Sequence, residues 1–321
     1  MPSGITHVLL ARTFPGKAAI KDEDLGLLLI EHMPYFQLGA MAPDLPYSQQ
    51  PKWIFGKKKY DLANKFHYKE TTKIPIRAFD HIKNLKGEDK DKAFAFFLGF
   101  AAHIVADGII HPYVRDKVGD YEEHKNEHRE LEMRLDVFFV DRLTNGLNLN
   151  DTNIHDVITD PLKDFKTIST LFSKLVNEVY GAKIDANDVI GWVKDMRNIF
   201  EVAESSNNQY YAKVPGFSGF LYKDKDEVLK KYQSDLILKL HEPKDRDQNF
   251  AGKDVRFFED CLPSFYSAFK KVAVAAYEYT FNDGPILTAT NFPEINLDTG
   301  RPLTADKGND LSANASYWRL V

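Results

Sequence analysis

Three polar side chains recur every four residues inside one strongly apolar segment of the sequence. They are His103, Asp107 and His111, and they lie within Ala93 to Pro112. Residues four apart lie one above the other on a helix, so the two imidazoles and the carboxylate share one face. Because apolar residues surround this helix on almost every side, the polar face is predicted to be buried. Buried charged groups need partners, and a metal ion would supply them.

A second segment repeats this spacing with His124, His128, Glu132 and Asp136. Acidic and basic residues four apart are also ordinary on a solvated helix surface, so this pattern alone has a simpler explanation. Two facing helices that offer inward histidine and carboxylate groups are, however, a known way to build a multinuclear metal site. Because the second segment occurs in the same sequence as the first, the two together favour metal binding.

Three further candidate ligands lie upstream of these helices. His7 lies in a short apolar segment, and His67 follows a basic loop. Asp44 lies in a loop between Pro43 and Pro46, which restrict the backbone and could project its carboxylate. Considered alone, a residue of this kind is more often a hydrogen-bonded core residue or a surface residue than a metal ligand.

Helices are predicted to position all of these residues, because apolar side chains recur with helical spacing along most of the chain. The predicted helical segments are Asp24 to His32, Thr72 to Leu85, Asp91 to His111, Glu122 to Leu143, Pro161 to Tyr180, Ala186 to Glu204, Asp226 to Leu240 and Asp254 to Phe281. Sustained alternation with a period of two residues is absent. The predicted fold class is all-α.

A single multi-helix domain is predicted for residues 1–283, since no linker or internal repeat divides the chain. Its metal ligands fall within 1–140, and the helices of 150–283 are expected to close the pocket. Proline and glycine are spread through 284–321, which predicts an irregular C-terminal tail that only packing could order. The aromatic residues expected to help select the substrate are Tyr210, Tyr211, Phe217 and Tyr222.

The amino-acid composition excludes several classes of protein and kinds of metal site. The chain has 321 residues, of which 43% are hydrophobic and 28% charged, so disordered and fibrous proteins are excluded. A net charge of −5 gives no indication of nucleic-acid or anionic-membrane binding. The single cysteine, Cys261, excludes an internal disulfide framework and a cysteine-rich zinc site, so histidines and carboxylates must supply any metal ligands.

The localisation expected from the sequence is cytoplasmic. The first residues lack the basic and apolar regions of a secretory signal. The longest apolar stretch, Ala93 to Ile110, is interrupted by His103 and Asp107, so a buried helix is favoured over a transmembrane segment.

The ordered set of motifs resembles the zinc-dependent phospholipase C family, which includes bacterial phospholipases C. The N-terminal domain of glycosylphosphatidylinositol-specific phospholipase D is similar, and single-strand-specific nucleases share the general trinuclear arrangement. The matching stretches are Thr6-His7, Gly39 to Asp44, Phe66-His67, Phe97 to His111, and His128 to Glu132. They cover roughly the first 140 residues in the expected order. The resemblance implies the all-α fold of these enzymes.

The resemblance also implies which residues bind two to three zinc ions. One ion would be held by Asp44, His67, His103 and Asp107, a second by His111, His128 and Glu132, and a third by His7 together with a bridging Asp107. Secreted members complete the third site with the amino group of a mature N-terminal residue. This sequence shows no secretory signal whose removal would free such an amine, and His7 lies close to Met1, so the third ion is expected to be weaker or absent.

The implied activity is hydrolysis of a phosphate ester, namely a phosphodiester, by a metal-activated water that Asp44 could orient or deprotonate. Three carboxylates do not neutralise two or three zinc ions, so the centre would attract an anionic substrate, either a phosphate-containing small molecule or a lipid. Two alternatives remain open. The same metal cluster could act on a phosphomonoester, a nucleotide or another small molecule, or the protein could be a zinc-stabilised binding module without catalysis.

Overall fold

The computed structural model describes residues 4–18, 23–48, 60–152, 154–204, 221–239, 244 and 253–303. Its α-helices are α1 (Gly4–Lys17), α2 (Glu23–Glu31), α3 (Met33–Met41), α4 (Tyr60–Tyr68), α5 (Lys73–Ile82), α6 (Glu88–Val118), α7 (Lys125–Thr144), α8 (Ile154–Val157), α9 (Lys166–Tyr180), α10 (Ala186–Glu204), α11 (Lys225–Lys231) and α12 (Leu262–Phe281). Two short strands, β1 (Ile237–Leu238) and β2 (Val255–Arg256), pair antiparallel. The prediction of an all-α fold is confirmed.

Helix α6 forms the centre of the fold. It is 31 residues long, and every residue from 93 to 116 is buried. Helices α1, α3, α5, α7, α9 and α12 all pack against it. By length and composition α6 could cross a membrane, and its most apolar window is entirely buried inside the protein. The apolar stretch noted in the sequence is thus surrounded by other helices.

Two glycines allow α3 and α6 to lie in direct backbone contact. A Cβ atom on Gly39 would lie 1.9 Å from the carbonyl oxygen of Phe96, and one on Gly99 would lie 2.2 Å from that of Phe36. No side chain fits in these positions without moving a helix backbone. This close approach places the C-terminal end of α3 against the middle of α6.

A short connection, residues 119–124, joins α6 to α7. Gly119 follows α6 with φ +110°, and a Cβ atom there would lie 2.6 Å from the ring of His124. At its other end, away from this connection, α7 is followed by Asn145 in the left-handed conformation, which asparagine adopts more readily than most residues. The connection keeps the two helices adjacent in space.

The structure departs from the predicted helices at several boundaries. The helix predicted over 226–240 ends at Lys231 as α11, and strand β1 follows. The helix predicted from Asp254 begins at Leu262, because strand β2 and a π-helical turn, Phe257–Cys261, precede it. Helices α1, α3 and α4 were not among the predicted segments. Residues 4–11 of α1 and seven of the nine residues of α3 are buried, so the polar face that helical periodicity requires is missing there.

The residues that follow α12 pack on the helices without forming one. Residues 284–303 contain no helix, but Leu287, Phe292 and Ile295 in this segment are buried. An isolated bridge between Ile295 and Pro302 closes its last part into a loop. We call residues 294–303 the strap. As far as it is described, the predicted tail is irregular and ordered by packing.

Candidate metal centre

Helix α6 supplies the three central residues of the candidate site. His103, Asp107 and His111 lie on one face and are at most 5% exposed. The Asp107 Oδ2 atom lies 3.1 Å from His103 Nε2, and its Oδ1 atom lies 3.6 Å from His111 Nε2. One carboxylate therefore directs each of its oxygens toward a different imidazole.

Helix α1 brings His7 to the same carboxylate. Its Nε2 atom lies 3.1 Å from Asp107 Oδ1, and its ring stacks on that of His103 with centroids 3.9 Å apart. The helix is held in place by Asp136, which accepts hydrogen bonds from the amide and the hydroxyl of Thr6 at 2.6 and 2.7 Å. Buried Asp136, predicted only as part of a four-residue pattern, thus fixes the residue adjacent to His7.

Asp44 and His67 approach the centre from another side. Asp44 lies in the turn after α3, and its Oδ1 atom is 3.2 Å from Nε2 of His67 at the end of α4. The same Nε2 atom lies 3.9 Å from Asp107 Oδ2. The glycine contact between α3 and α6 also lets the carbonyl of Ala40 accept a hydrogen bond from His103 Nδ1 at 2.8 Å.

Helix α7 contributes the remaining pair of candidate ligands. Glu132 Oε1 lies 3.2 Å from His128 Nε2, one turn earlier on the helix, and 3.1 Å from His111 Nε2 on α6. Both α7 residues are buried, so these positions do not belong to a solvated helix surface. The alternative that this four-residue spacing marks only a solvated helix surface is therefore wrong for His128 and Glu132. His124, the first residue of the pattern, is partly exposed.

All eight predicted ligands thus converge on one buried region. Three groups within it have donor atoms that all lie within 4.8 Å of one another, namely His7 with His103 and Asp107, Asp44 with His67 and His103, and His111 with His128 and Glu132. These groups differ from the three ion sites that the resemblance implies in two ways: His103 belongs to two groups, and Asp107 belongs to the group of His7 but not also to that of Asp44. Their role as zinc ligands stays a prediction.

The donor set fits zinc. The buried atoms that make no hydrogen bond include Nε2 of His67, His103 and His111, both oxygens of Asp44, and one oxygen each of Asp107 and Glu132. Ligand atoms about 2.0–2.1 Å from one tetrahedral zinc are about 3.3 Å apart, close to the nitrogen–oxygen separations found here. Nitrogen and oxygen donors without a thiolate are suitable for this ion.

Hydrogen bonds on the far side of three imidazoles orient their free nitrogen atoms toward the centre. The Nδ1 atoms of His67, His103 and His111 each lie 2.6–2.8 Å from a backbone carbonyl oxygen. A carbonyl only accepts, so Nδ1 carries the proton and Nε2 keeps its lone pair in the neutral ring. This is the usual support of a histidine that binds a metal.

Charges within the metal-free centre are strongly coupled. Burial alone would raise the pKa of Asp107, but His103, His111 and His7 hold it well below its usual range. Burial is likewise outweighed at Glu132, whose pKa falls to about 2 because His128 and His111 lie beside it. The same contacts raise the pKa of His111 to about 10, against the effect of burial. The carboxylates are therefore ionised at neutral pH.

A small cavity and several aromatic rings border the centre. The cavity, of about 10 Å³, is lined by His7, Asp107, His111 and Glu132 among others and has room for about one water molecule. The half-buried Tyr47 ring lies 5.4 Å from that of His67, and Tyr121 lies 5.0 Å from His128. The predictions did not assign a role to either tyrosine.

The predicted substrate-selecting aromatics are only partly placed. Tyr210, Tyr211 and Phe217 lie outside the described residues. Tyr222 is buried, and its hydroxyl donates a hydrogen bond to Asp136 at 2.7 Å. Tyr222 therefore supports the residue that holds α1 instead of lining an open pocket, because its polar end is already used inside the protein.

Sequence reasoning missed the contribution of the strap to this centre. His111 Nδ1 donates to the carbonyl of Leu297, and Arg115 contacts Asp298 at 2.5 Å. A signal for Arg115 was available, because it continues the four-residue spacing of His103, Asp107 and His111. The strap itself carries no periodic pattern.

A comparison with known families supports the resemblance seen in the motifs. The family model described as zinc-dependent phospholipase C matches residues 6–188. This range contains all eight predicted ligands and more than half of the chain, but it ends well before the strap. Neither the curated proteins nor the solved structures gave a match.

Proposed function

Because this chain belongs to the zinc-dependent phospholipase C family, we propose that it is a hydrolase that cleaves a phosphate ester, specifically a phosphodiester. The observation that carries this proposal is the group of buried nitrogen and oxygen atoms that face one another around Asp107 without hydrogen bonds. Leaving so many polar atoms unsatisfied would be costly unless cations pair with them. We propose two to three zinc ions, with the group around His7 the weakest.

When bound by these residues, zinc would lower the pKa of a coordinated water and attract the non-bridging oxygens of a phosphate. The protein then has to orient the water and the substrate. Asp44 is suited to the first task, because both of its carboxylate oxygens are buried and make no hydrogen bond. Its Oδ1 atom faces His67, and Oδ2 can accept a proton from water. Ionised Asp44 thus serves as the orienting group or the base.

Charge and shape favour an anionic substrate with an apolar or aromatic portion. The carboxylates of Asp44, Asp107 and Glu132 do not balance the charge of two or three zinc ions, so a phosphate would be attracted. The rings of Tyr47 and Tyr121 lie beside the ligands and could contact the rest of the substrate. A phosphate-containing small molecule and a phospholipid both meet this description.

Metal removal and restoration test the proposal directly. Protein purified without chelators should contain about two or more zinc ions per chain by elemental analysis. It should hydrolyse bis(p-nitrophenyl) phosphate, lose that activity with EDTA and regain it with added zinc. Asp44→Asn should reduce turnover, whereas His81→Ala, a change on α5 away from the centre, should not.

Two results would overturn the proposal. Less than one metal ion per chain would contradict the metal centre itself. Zinc-loaded protein that hydrolyses no diester, monoester or phospholipid across a broad panel would refute the hydrolase activity, and metal required only for folding would instead indicate a binding module.

A further inference from the structure

The backbone of one residue in the strap contacts two candidate ligands that belong to different ion sites. The amide of Leu297 donates a hydrogen bond to the backbone carbonyl of His67 at 2.9 Å. The carbonyl of Leu297 accepts a hydrogen bond from His111 Nδ1 at 2.6 Å. His67 belongs to the group with Asp44, and His111 to the group on α6 and α7. Leu297 therefore links the two groups through its backbone.

The strap packs directly against the backbone of α6 at another glycine, Gly300. Gly300 has φ +67°, and a Cβ atom there would lie 2.5 Å from the carbonyl oxygen of Gly108 and 2.8 Å from Pro112. Gly108 and Pro112 directly follow the ligands Asp107 and His111 in sequence. Any side chain at position 300 would therefore push the strap away from the ligand-bearing part of α6.

Polar contacts hold the strap on either side of Leu297. The hydroxyl of Thr71 donates to the carbonyl of Ile295 at 2.9 Å and accepts from its amide at 3.2 Å. On the other side, Arg115 contacts Asp298 at 2.5 Å. Arg115 is 2% exposed, so this pair is largely removed from solvent. The contacts fix both ends of the segment that carries the Leu297 peptide.

We infer that the strap is a positioning element that sets the orientation of His111, and through it the zinc affinity of the group formed by His111, His128 and Glu132. A histidine ligand is held in its binding orientation by the partner of its other ring nitrogen, and loss of such a partner typically weakens metal binding about 10–100-fold. For His111 that partner comes from residues far beyond the range that the family model matches. The inference rests on the metal centre of the proposed function, but not on its substrate.

A pair of matched glycine variants tests this role. Gly300→Ala places a methyl group against the carbonyl of Gly108, whereas Gly181→Ala introduces the same left-handed alanine at φ +63° with no atom within 4 Å. Zinc affinity is measured by competition with a chromophoric chelator, and ligand geometry by the visible spectrum of cobalt(II)-substituted protein. We expect Gly300→Ala to bind one ion about 10–100-fold more weakly and to change the cobalt spectrum. Gly181→Ala should match the wild type in both measurements.

A milder pair keeps the test decisive if Gly300→Ala fails to fold. Thr71→Val removes both hydrogen bonds to Ile295 while keeping the shape of the side chain, and Thr71→Ser retains the hydroxyl. Weaker zinc binding and an altered cobalt spectrum in the valine variant, with both restored in the serine variant, would support the positioning role. Circular dichroism checks that each variant is folded, and limited proteolysis shows whether the strap is released.

The outcomes separate this inference from the proposed function. If folded variants with a released strap bind zinc as tightly as the wild type and give the same cobalt spectrum, the positioning role is refuted. If the wild type binds zinc but hydrolyses no phosphate ester, the proposed function fails while the affinity comparison still decides the role of the strap. A wild type without zinc overturns both.

Discussion

Replacing Asp107 by asparagine tests whether one carboxylate is shared between ion sites. Its Oδ2 atom lies 3.1 Å from His103 Nε2 and 3.9 Å from His67 Nε2, whereas its Oδ1 atom lies 3.1 Å from His7 Nε2. Because neighbouring imidazoles hold its pKa well below the usual range, Asp107 is ionised at neutral pH. The change to asparagine thus removes a full negative charge and one of two donor oxygens while keeping the shape of the side chain.

The expected loss of zinc affinity follows from the binding free energy that one ligand contributes. Structural zinc sites contribute roughly 10–16 kcal/mol, or about 3 kcal/mol for each of four ligands. A loss of about 3 kcal/mol weakens binding about 100-fold. Since the amide nitrogen is not a zinc ligand, one ion near Asp107 should lose its ligand outright. The ion on the other oxygen should lose part of its electrostatic attraction.

The assay compares zinc content and hydrolysis in Asp107→Asn with those in a matched surface variant. Elemental analysis after dialysis and chelator competition should both show weakened binding, and turnover of an activated diester should fall with it. Asp283→Asn makes the same chemical change at an exposed left-handed residue, where asparagine is well tolerated, and should retain its metal. Unchanged zinc content and affinity in Asp107→Asn would show that this carboxylate is not a shared ligand.

Three further predictions concern stability. In zinc-free protein, burial lowers the pKa of His111, but Asp107 and Glu132 outweigh burial and raise it to about 10. The stabilisation by protonated His111 is therefore complete below an unfolded pKa of about 6.5 and lost as pH rises toward 10. Urea unfolding should give a lower free energy at pH 9 than at pH 6, and His111→Gln should reduce that difference. Gly39→Ala places a methyl group 1.9 Å from a carbonyl oxygen of α6 and should cost about 3 kcal/mol or more. Gly16→Ala, which meets nothing within 4 Å in helix α1, should instead stabilise by about 0.5–1 kcal/mol; equal melting temperatures would contradict the packing argument. Free zinc at about 1,000 times its dissociation constant should stabilise by about 4 kcal/mol per site, and an unchanged melting temperature after chelation would argue against binding to the native state.

The sequence was most informative where polar residues interrupt an apolar helix. His103, Asp107 and His111 were recognisable because a spacing of four predicts a shared face, and α6 places them on one. His128 and Glu132 followed from the same rule on α7. The spacing alone did not reveal their burial, because solvated helices show it too. The prediction for these residues depended on the presence of both helices.

Helix α1 shows why periodicity failed elsewhere. Residues 4–11 are all buried, so the segment lacks the contrast between apolar and polar faces from which an amphipathic helix is recognised. His7 therefore appeared as a histidine in a short apolar segment. Its place beside Asp107 depends on a contact between Thr6 and Asp136, which are 130 residues apart in sequence.

The strap was beyond sequence reasoning for a different physical reason. Its residues form neither a helix nor an extended strand, so no period marks them. Its role arises from single contacts, such as those of Leu297 with His67 and His111, which depend on how distant segments meet. The spacing of Arg115, four residues after His111, was the feature of the sequence that pointed to a further contact at this site.

The link made by Leu297 has a consequence for the order in which the site is completed during synthesis. His7 and Leu297 are about 290 residues apart, and a ribosome adding about 5–20 residues per second needs about 15–60 s to pass from one to the other. Throughout most of that interval the ligands of α6 and α7 have been translated, but the carbonyl that orients His111 has not. On the proposal that the site binds zinc, a nascent chain is expected to exchange the metal faster than the finished protein, and packing of the strap on α6 would be the step that slows this exchange.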